Sequence, residues 1–477
     1  MRKTKIVCTL GPAVDDLDSI RQLITEGMDV ARLNFSHGSH QEHKARADKL
    51  KQVREEMGKH VPLLMDMKGP EIRTGSFKDG LQTLQAGQLF TFTPKDVEGD
   101  STIVTITYND LYKDVFPGAH VSVDDGHIDM VVEEIRGEDI VCRVSNGGQV
   151  SNHKGVNVPG VMVNVPIMEQ SDIDDIAFAV ENDFDFIAVS FVRDADDIRQ
   201  VRSVLNEKGG KGIRLIAKIE TAQGVNNIDS IIAVSDGIMV ARGDLGVELP
   251  IERVPIVQKE LIKKCYESGK PVITATQMLD SMIRNPRPTR AEANDVANAI
   301  FEGTSAIMLS GETAAGRYPI ESLQMMVRIA EAAEESMDYK ALFKSRHADM
   351  SFDVANAISH ATCTTAMDLN ATAIVTVTKS GITAQKISRF RPHCPIIAAT
   401  TSKKVMRQLW LSWGILPCLS KEACSAENLL EIGVETALNS HFINTGDLVV
   451  ITAGVPIGVS GTTNMLKVHI AGNPVLK

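Results

Sequence analysis

The chain has 477 residues, 43% hydrophobic and 23% charged, with a formal net charge of −11. That length exceeds one ordinary core and implies several domains, at roughly 100–200 residues each. The acidic balance excludes nucleic acid or an anionic membrane as the main partner, because both demand a basic footprint. No region combines low hydrophobicity with high net charge, so disorder is not expected. The seven cysteines are scattered and form no Cys-x-x-Cys pair, which speaks against a disulfide framework or a zinc site. No apolar run approaches the roughly 20 residues of a membrane span, and the start lacks the apolar core of a signal peptide. A cytoplasmic protein is expected.

In chain order, short β-rich apolar runs fall at residues 5–10, 29–33 and 62–67, then at 185–190, 213–219, 237–241, 271–276 and 305–309. Between them lie segments of helical period, at 16–26, 41–57, 251–267 and 291–301. Two of these open on capping-box patterns, Ser39-x-x-Glu42 and Thr289-x-x-Glu292. Eight strand-like runs alternating with helices predict an α/β fold of the TIM (β/α)8-barrel type, over 1–68 and 168–345. Residues 69–167 interrupt it. They are rich in Gly, Thr and Val, with Asp79-Gly80 and Asp125-Gly126 turns, and read as an inserted β domain. Without that insert about 250 residues remain, the usual size of such a barrel. A new alternation follows over 346–477, with strand candidates at 371–378, 395–400, 447–453 and 466–470, which predicts a separate C-terminal α/β domain.

Active sites of such barrels lie where the strands finish. The residues standing there are Arg32, Asn34, Ser36 and His37 after the second run, Asp66 and Lys68 after the third, and Ser190 at the fourth. Lys218 and Glu220 end the fifth, Arg242 and Asp244 follow the sixth, Thr276 and Gln277 the seventh, Ser310 and Glu312 the eighth. One Glu or Lys on a rim signifies little, since exposed charges are commonly just solvated. Convergence from five strands signifies more. Glu220 and Asp244 offer two carboxylates to a hard cation, which completes its octahedron with water and substrate oxygens. Lys218 and Glu220, two apart on an extended chain, share one face. Negative charge growing on a substrate there would be stabilised by both. Arg242-Gly-Asp-Leu-Gly246 exposes amides in a possible anion cradle. Arg32, Arg73 and Lys154 have the chemistry for phosphate contact.

Four segments resemble the pyruvate kinase family: Thr4-Lys-Ile-Val-Cys-Thr-Leu-Gly-Pro12 with Ala31-Arg-Leu-Asn-Phe-Ser-His-Gly38; Asp66-Met-Lys-Gly-Pro-Glu-Ile-Arg-Thr74; Ile216-Ala-Lys-Ile-Glu-Thr-Ala-Gln-Gly-Val225 with Val240-Ala-Arg-Gly-Asp-Leu-Gly-Val247; and Thr274-Ala-Thr-Gln-Met-Leu-Asp-Ser-Met282 running into Asn285-Pro-Arg-Pro-Thr-Arg-Ala-Glu292. The resemblance implies transfer of a phosphoryl group from phosphoenolpyruvate to ADP, giving pyruvate and ATP, the last step of glycolysis. It implies catalytic roles for Lys218, Thr276 and Arg32, Mg2+ (or Mn2+) on Glu220 and Asp244, and substrate contacts from Arg32, Gly243, Asp244 and Thr276. Asn34, His37, Arg73 and Lys154 would meet the nucleotide. Asn34, Ser36, Asp66 and the carbonyl of Met67 would hold K+; Met67 stands where the family commonly has Thr, a swap that keeps the backbone ligand. Glu71 matches potassium-dependent members, whereas independent ones carry Lys.

By the same resemblance the insert is a β-barrel lid and the C-terminal domain is allosteric. Thr378, Lys379, Ser380, Gly381 and Thr383 would form a loop for a sugar-phosphate or AMP effector. The assembly would be a homotetramer, and the additional C-terminal phosphohistidine-type domain of some bacterial members is not expected. Two alternatives stand beside this reading: a metal-dependent lyase or aldolase acting on an enolate, against which the lid speaks, and a catalytically silent sugar-phosphate sensor, against which the intact rim speaks.

Overall fold

A computed structural model of the chain describes residues 2–124, 126–345, 353–456 and 463–475. Eight parallel strands close into a barrel: β1 (Lys5–Thr9), β2 (Val30–Asn34), β3 (Leu63–Asp66), β4 (Phe186–Val189), β5 (Arg214–Ile219), β6 (Gly237–Ala241), β7 (Val272–Ala275) and β8 (Ala306–Leu309). They follow one another in chain order around the barrel, and β8 pairs with β1 to close it. Each expected run matches one of these strands, β2 extending one residue past its run to Asn34. Side chains alternate between two cores. Val7, Val30, Leu64, Ile216, Met239 and Ile273 fill the barrel interior, while Ile6, Cys8, Leu33 and Leu63 pack outward on the helices.

The helices begin where the capping chemistry places them. Ser39 and Glu42 form a reciprocal capping box at the start of helix His40–Glu56, and Thr289 and Glu292 do so for helix Arg290–Glu302. Each box satisfies two backbone donors that a helix start leaves orphaned. Helix Val254–Glu267 starts three residues later than the periodicity predicts, because Ile251–Arg253 is a 3-10 turn ahead of Pro255.

The insert holds a six-stranded and a two-stranded sheet around its own apolar core, with Phe90, Phe92, Val121 and Ile140 at the centre. Asp79 and Gly80 take positive φ at the expected turn. The second expected turn begins at Asp125, which lies outside the described residues. So do residues 346–352, which include the start expected for the C-terminal domain.

The C-terminal sheet has five strands, ordered β11-β10-β9-β12-β13: β9 (Ala373–Val377), β10 (Ile396–Thr400), β11 (Ile415–Leu419), β12 (Leu448–Gly454) and β13 (Thr463–Ile470). β12 and β13 are antiparallel, the others parallel. β11 is not among the strands expected from the sequence.

This domain docks on the barrel opposite the rim. The Lys5 ammonium donates to the Ile415 carbonyl at 2.8 Å over the Trp410 ring. Helix Lys403–Leu409 carries Arg407, whose Nε reaches Asp185 Oδ1 at 2.7 Å and whose Nη2 reaches Asp183 at 2.8 Å. Asp185 is fully buried. Burial pushes its carboxyl pKa up, and the Arg407 charge only partly draws it back. Removing one partner of a buried pair costs about 3–5 kcal/mol, so Arg407→Met is expected to destabilise the protein on that scale at neutral pH. A carboxyl raised above its unfolded pKa binds its proton earlier in the folded state, so stability rises as pH falls through that raised value. The penalty will therefore shrink on acidification, read from melting curves of the variant and its parent between neutral pH and pH of about 5.

Candidate active site

The rim above the barrel is knit by ion pairs between neighbouring strand ends. Asp66, at the end of β3 and 1% exposed, takes Arg32 Nε on Oδ2 at 2.7 Å and lies 3.0 Å from Lys218 Nζ through Oδ1. Arg32, on β2, also donates through Nη1 to Thr9 Oγ1 at 2.8 Å. Lys218 Nζ meets Glu220 Oε1 at 2.9 Å and Ser190 Oγ at 2.7 Å. The Phe191 amide donates to the other Glu220 oxygen at 2.6 Å. Asp244, in the first turn of helix Arg242–Glu248, acts on the charge of both Lys218 and Glu220.

Burial opposes charge on all of these groups, and their partners decide the outcome. Around Lys218, Asp66, Glu220 and Asp244 outweigh burial and raise its pKa, so the ammonium is kept. Around Asp66, Arg32 and Lys218 outweigh burial and hold the carboxyl below its ordinary range. Glu220 is the reverse: burial and the like charge of Asp244 push it up despite Lys218.

Two cations thus face three carboxylates, Asp66, Glu220 and Asp244, one negative charge in excess. Among the described residues no three His, Cys, Asp or Glu side chains gather into a closed metal site. The frustrated Glu220–Asp244 pair nonetheless fits a divalent cation, whose charge would relieve their repulsion and whose remaining positions would be left to water and substrate. For a monovalent cation, register sets Asn34 beside Asp66, and the Asn34 side-chain oxygen accepts from the Ser36 amide at 3.2 Å. Asp66 Oδ1 makes an ion pair without a well-aligned hydrogen bond, leaving a buried anionic oxygen with spare capacity. The residues fit both ions.

Thr276 sits just past β7 with φ of +66°, and Gln277 follows at +54°. A β-branched residue in the left-handed region is strained by about 1–3 kcal/mol, so surrounding bonds must hold it. The Gly243 amide donates to Thr276 Oγ1 at 2.9 Å, and Thr276 Oγ1 donates to the Ala275 carbonyl at 2.7 Å. Arg242 Nη2 donates to the Thr276 carbonyl at 2.6 Å, while its Nη1 bridges both oxygens of Asp295 at 2.7 Å. The Arg242–Gly246 segment is therefore a helical turn clamped to β7, and Arg242 is spent on that clamp. Glu312, another expected rim group, is buried as an acceptor for the amides of Leu279 and Ser310.

The remaining candidates lie further out. His37 is exposed, and its carbonyl accepts from His43 Nε2 at 2.9 Å. Arg73 and Lys154 stand on paired segments of the insert. There Arg73 is held by Glu71 Oε2 at 2.5 and 3.0 Å and by the His153 carbonyl at 2.6 Å, and Lys154 by Asp124 at 2.8 Å. Glu71 thus spends its charge on Arg73. In the C-terminal domain, Gly381 has φ of +86° and donates to Thr378 Oγ1 at 3.0 Å. Thr383 Oγ1 meets Thr463 Oγ1 at 2.8 Å, and Lys379 is exposed. The Ser380 carbonyl accepts from Arg214 Nη2 at 3.0 Å, and Arg214 belongs to β5, which carries Lys218 and leads directly into Glu220. Nothing in the local sequence marks Thr9, Phe191 or Arg214, because their contacts are with distant partners.

Fold and rim together define a barrel enzyme whose strand ends gather one ammonium, one guanidinium and a set of carboxylates around a point of anionic chemistry. The pyruvate kinase barrel-domain family matches residues 1–323, and the pyruvate kinase alpha/beta-domain family matches residues 356–469. The chain is 50% identical over 471 residues to a pyruvate kinase of Clostridium acetobutylicum, covering 98% of this chain and 100% of that one. It is also 50% identical over 478 residues to one of Sporosarcina psychrophila, covering 99% and 81%. A crystal structure of a pyruvate kinase from Cryptosporidium parvum superposes with a TM-score of 0.93 at 39% identity, covering 98% and 96%. The chain belongs to the pyruvate kinase family, and it is an enzyme of the transferase class. Among the described residues no helix is long and apolar enough to cross a membrane, and all seven cysteines are free.

Proposed function

We propose that the protein transfers the phosphoryl group of phosphoenolpyruvate to ADP, yielding pyruvate and ATP. The observation that carries this reading is the Lys218 ammonium, held between Asp66, Glu220 and Ser190 at 2.7–3.0 Å beside Asp244. In this reading Arg32, Gly243, Asp244 and Thr276 bind phosphoenolpyruvate. Lys218 neutralises charge as the phosphorus–oxygen bond to the enol breaks and a new one forms to the terminal phosphate of ADP. Arg73, Lys154, Asn34 and His37 receive the nucleotide, for which Arg73 and Lys154 exchange Glu71 and Asp124 for phosphate oxygens. Mg2+ or Mn2+ on Glu220 and Asp244 supplies Lewis-acid stabilisation of substrate oxygens when bound.

The enolate then takes a proton on carbon. The Thr276 hydroxyl already donates to Ala275 and accepts from Gly243, so it orders water near that carbon and is not itself the acid. The division at 68/69, 167/168 and 345/346 belongs to the same proposal, supported by separate cores in barrel, insert and C-terminal sheet. A cytoplasmic location in glycolysis, a homotetramer, and control by a sugar phosphate or AMP at Thr378–Thr383 complete it. The Arg214–Ser380 bond supports communication between that loop and β5.

One experiment tests the whole reading: a coupled assay of ADP-dependent pyruvate formation, with and without K+, and with each candidate effector at sub-saturating phosphoenolpyruvate. Activity is expected to need K+ at Asn34, Ser36, Asp66 and Met67. Undiminished turnover with only tetraalkylammonium present would sink the potassium site; absence of ADP-dependent pyruvate would sink the reading itself.

A further inference from the structure

Ser190 closes β4, is 1% exposed, and stands between three parts of the site. Its hydroxyl accepts from Lys218 Nζ at 2.7 Å and donates to the Met67 carbonyl at 2.7 Å. One donor and one acceptor are both used, so the hydroxyl cannot rotate without breaking a bond. The next residue, Phe191, has φ of +55° and turns its amide onto Glu220 Oε2 at 2.6 Å. Behind it passes Gly69, where the chain leaves the barrel for the insert, with φ of +72°. A Cβ at Gly69 would lie 2.7 Å from Ser190 Cβ and 3.3 Å from the Phe191 ring. The chain into the insert thus rests directly on this serine.

We propose that Ser190 is a positioning residue for phosphoryl transfer: its hydroxyl aims the Lys218 ammonium and orients the Met67 carbonyl, while its Cβ seats Gly69. The proposal rests on the function given above. A lysine side chain loses rotamer entropy when fixed, so its ammonium needs aligned acceptors to set its direction. Asp66 and Glu220 hold it as ion pairs, and a third carboxylate there would deepen the excess of negative charge. A neutral hydroxyl fixes the direction at no cost in charge. Because the same hydroxyl donates to Met67, it also leaves that carbonyl oriented for the monovalent cation.

Ser190→Ala keeps the Cβ against Gly69 and deletes only the hydroxyl. A hydrogen bond to a charged group is worth about 1.5–3 kcal/mol, so kcat at saturating substrates is expected to fall about ten- to hundredfold. KM for phosphoenolpyruvate and ADP should change little, while the K+ concentration for half-maximal activity rises. Ser190→Thr, which retains a hydroxyl, should recover most of the lost kcat, and both variants should melt close to the parent. Unchanged kcat in Ser190→Ala overturns the proposal. So does an equal loss in both variants, which would show that the hydroxyl retained in Ser190→Thr does not carry the effect, or a collapse in the melting temperature of Ser190→Ala, which would assign the hydroxyl to folding. If the parent itself ignores K+, the cation reading fails while the ratio of kcat values still judges Ser190.

Discussion

Lys218→Met will lower ADP-dependent pyruvate formation by about a hundred- to a thousandfold, the scale of deleting one preorganised group that stabilises charge in a transition state. Methionine keeps the length and most of the volume but removes the ammonium from Asp66, Glu220 and Ser190. A second effect follows. Glu220 is 1% exposed and already pushed up by burial and by Asp244; without Lys218 it loses its ammonium partner. Breaking a buried pair costs about 3–5 kcal/mol, and protonation of Glu220 will lessen that near neutral pH. The variant should therefore be stabilised by Mg2+ more than the parent, because a divalent ion would now supply the missing countercharge. Steady-state turnover and melting curves with and without Mg2+ check both halves. Activity within tenfold of the parent would remove Lys218 from the chemistry; equal Mg2+ responses would remove the ion from Glu220.

Much of this was legible in the chain because parallel barrel strands, covered on both faces, read as continuous apolar runs. The intervening helices announce themselves through caps such as Ser39 and Thr289. Strand β11 escaped because Pro417 interrupts Ile415–Leu419; proline is tolerated at a sheet edge, where β11 lies. At the site, Lys218, Glu220 and Asp244 could be found from their places after strands. What they touch could not. Arg242 read as part of an anion cradle, yet its partners Gln258, Met278 and Asp295 come from later elements. Glu71 read as a charge awaiting a cation, yet Arg73 two residues on has it. The positive φ of Thr276 and Phe191 opposes their intrinsic preference, and only tertiary contacts impose it. These strained, long-range features cluster where the chemistry does, and local sequence is least informative there.

Asp66→Asn should be nearly as damaging as loss of Lys218, for a different reason. Asp66 divides its two oxygens between two cations, Arg32 on Oδ2 and Lys218 on Oδ1. An amide of the same shape has one oxygen and two N–H donors, so one cation would face a donor in a buried site. Breaking such an arrangement is expected to cost about 3–5 kcal/mol, and misplacing Arg32 or Lys218 to lower turnover by at least about a hundredfold. The pH dependence identifies the cause. Arg32 and Lys218 hold the Asp66 carboxyl below its ordinary range against burial, so its contribution is present in full above the unfolded carboxylate pKa and is lost only as pH falls through its own depressed value. The stability gap between parent and variant should stay constant from neutral pH to about pH 5, narrowing only in stronger acid. Arg407→Met, which strands a carboxyl of raised pKa, should instead narrow its gap within that same interval. Melting curves of the two variants side by side decide the point: a gap for Asp66→Asn that closes before pH of about 5 would show that Asp66 is not held ionised by these two cations.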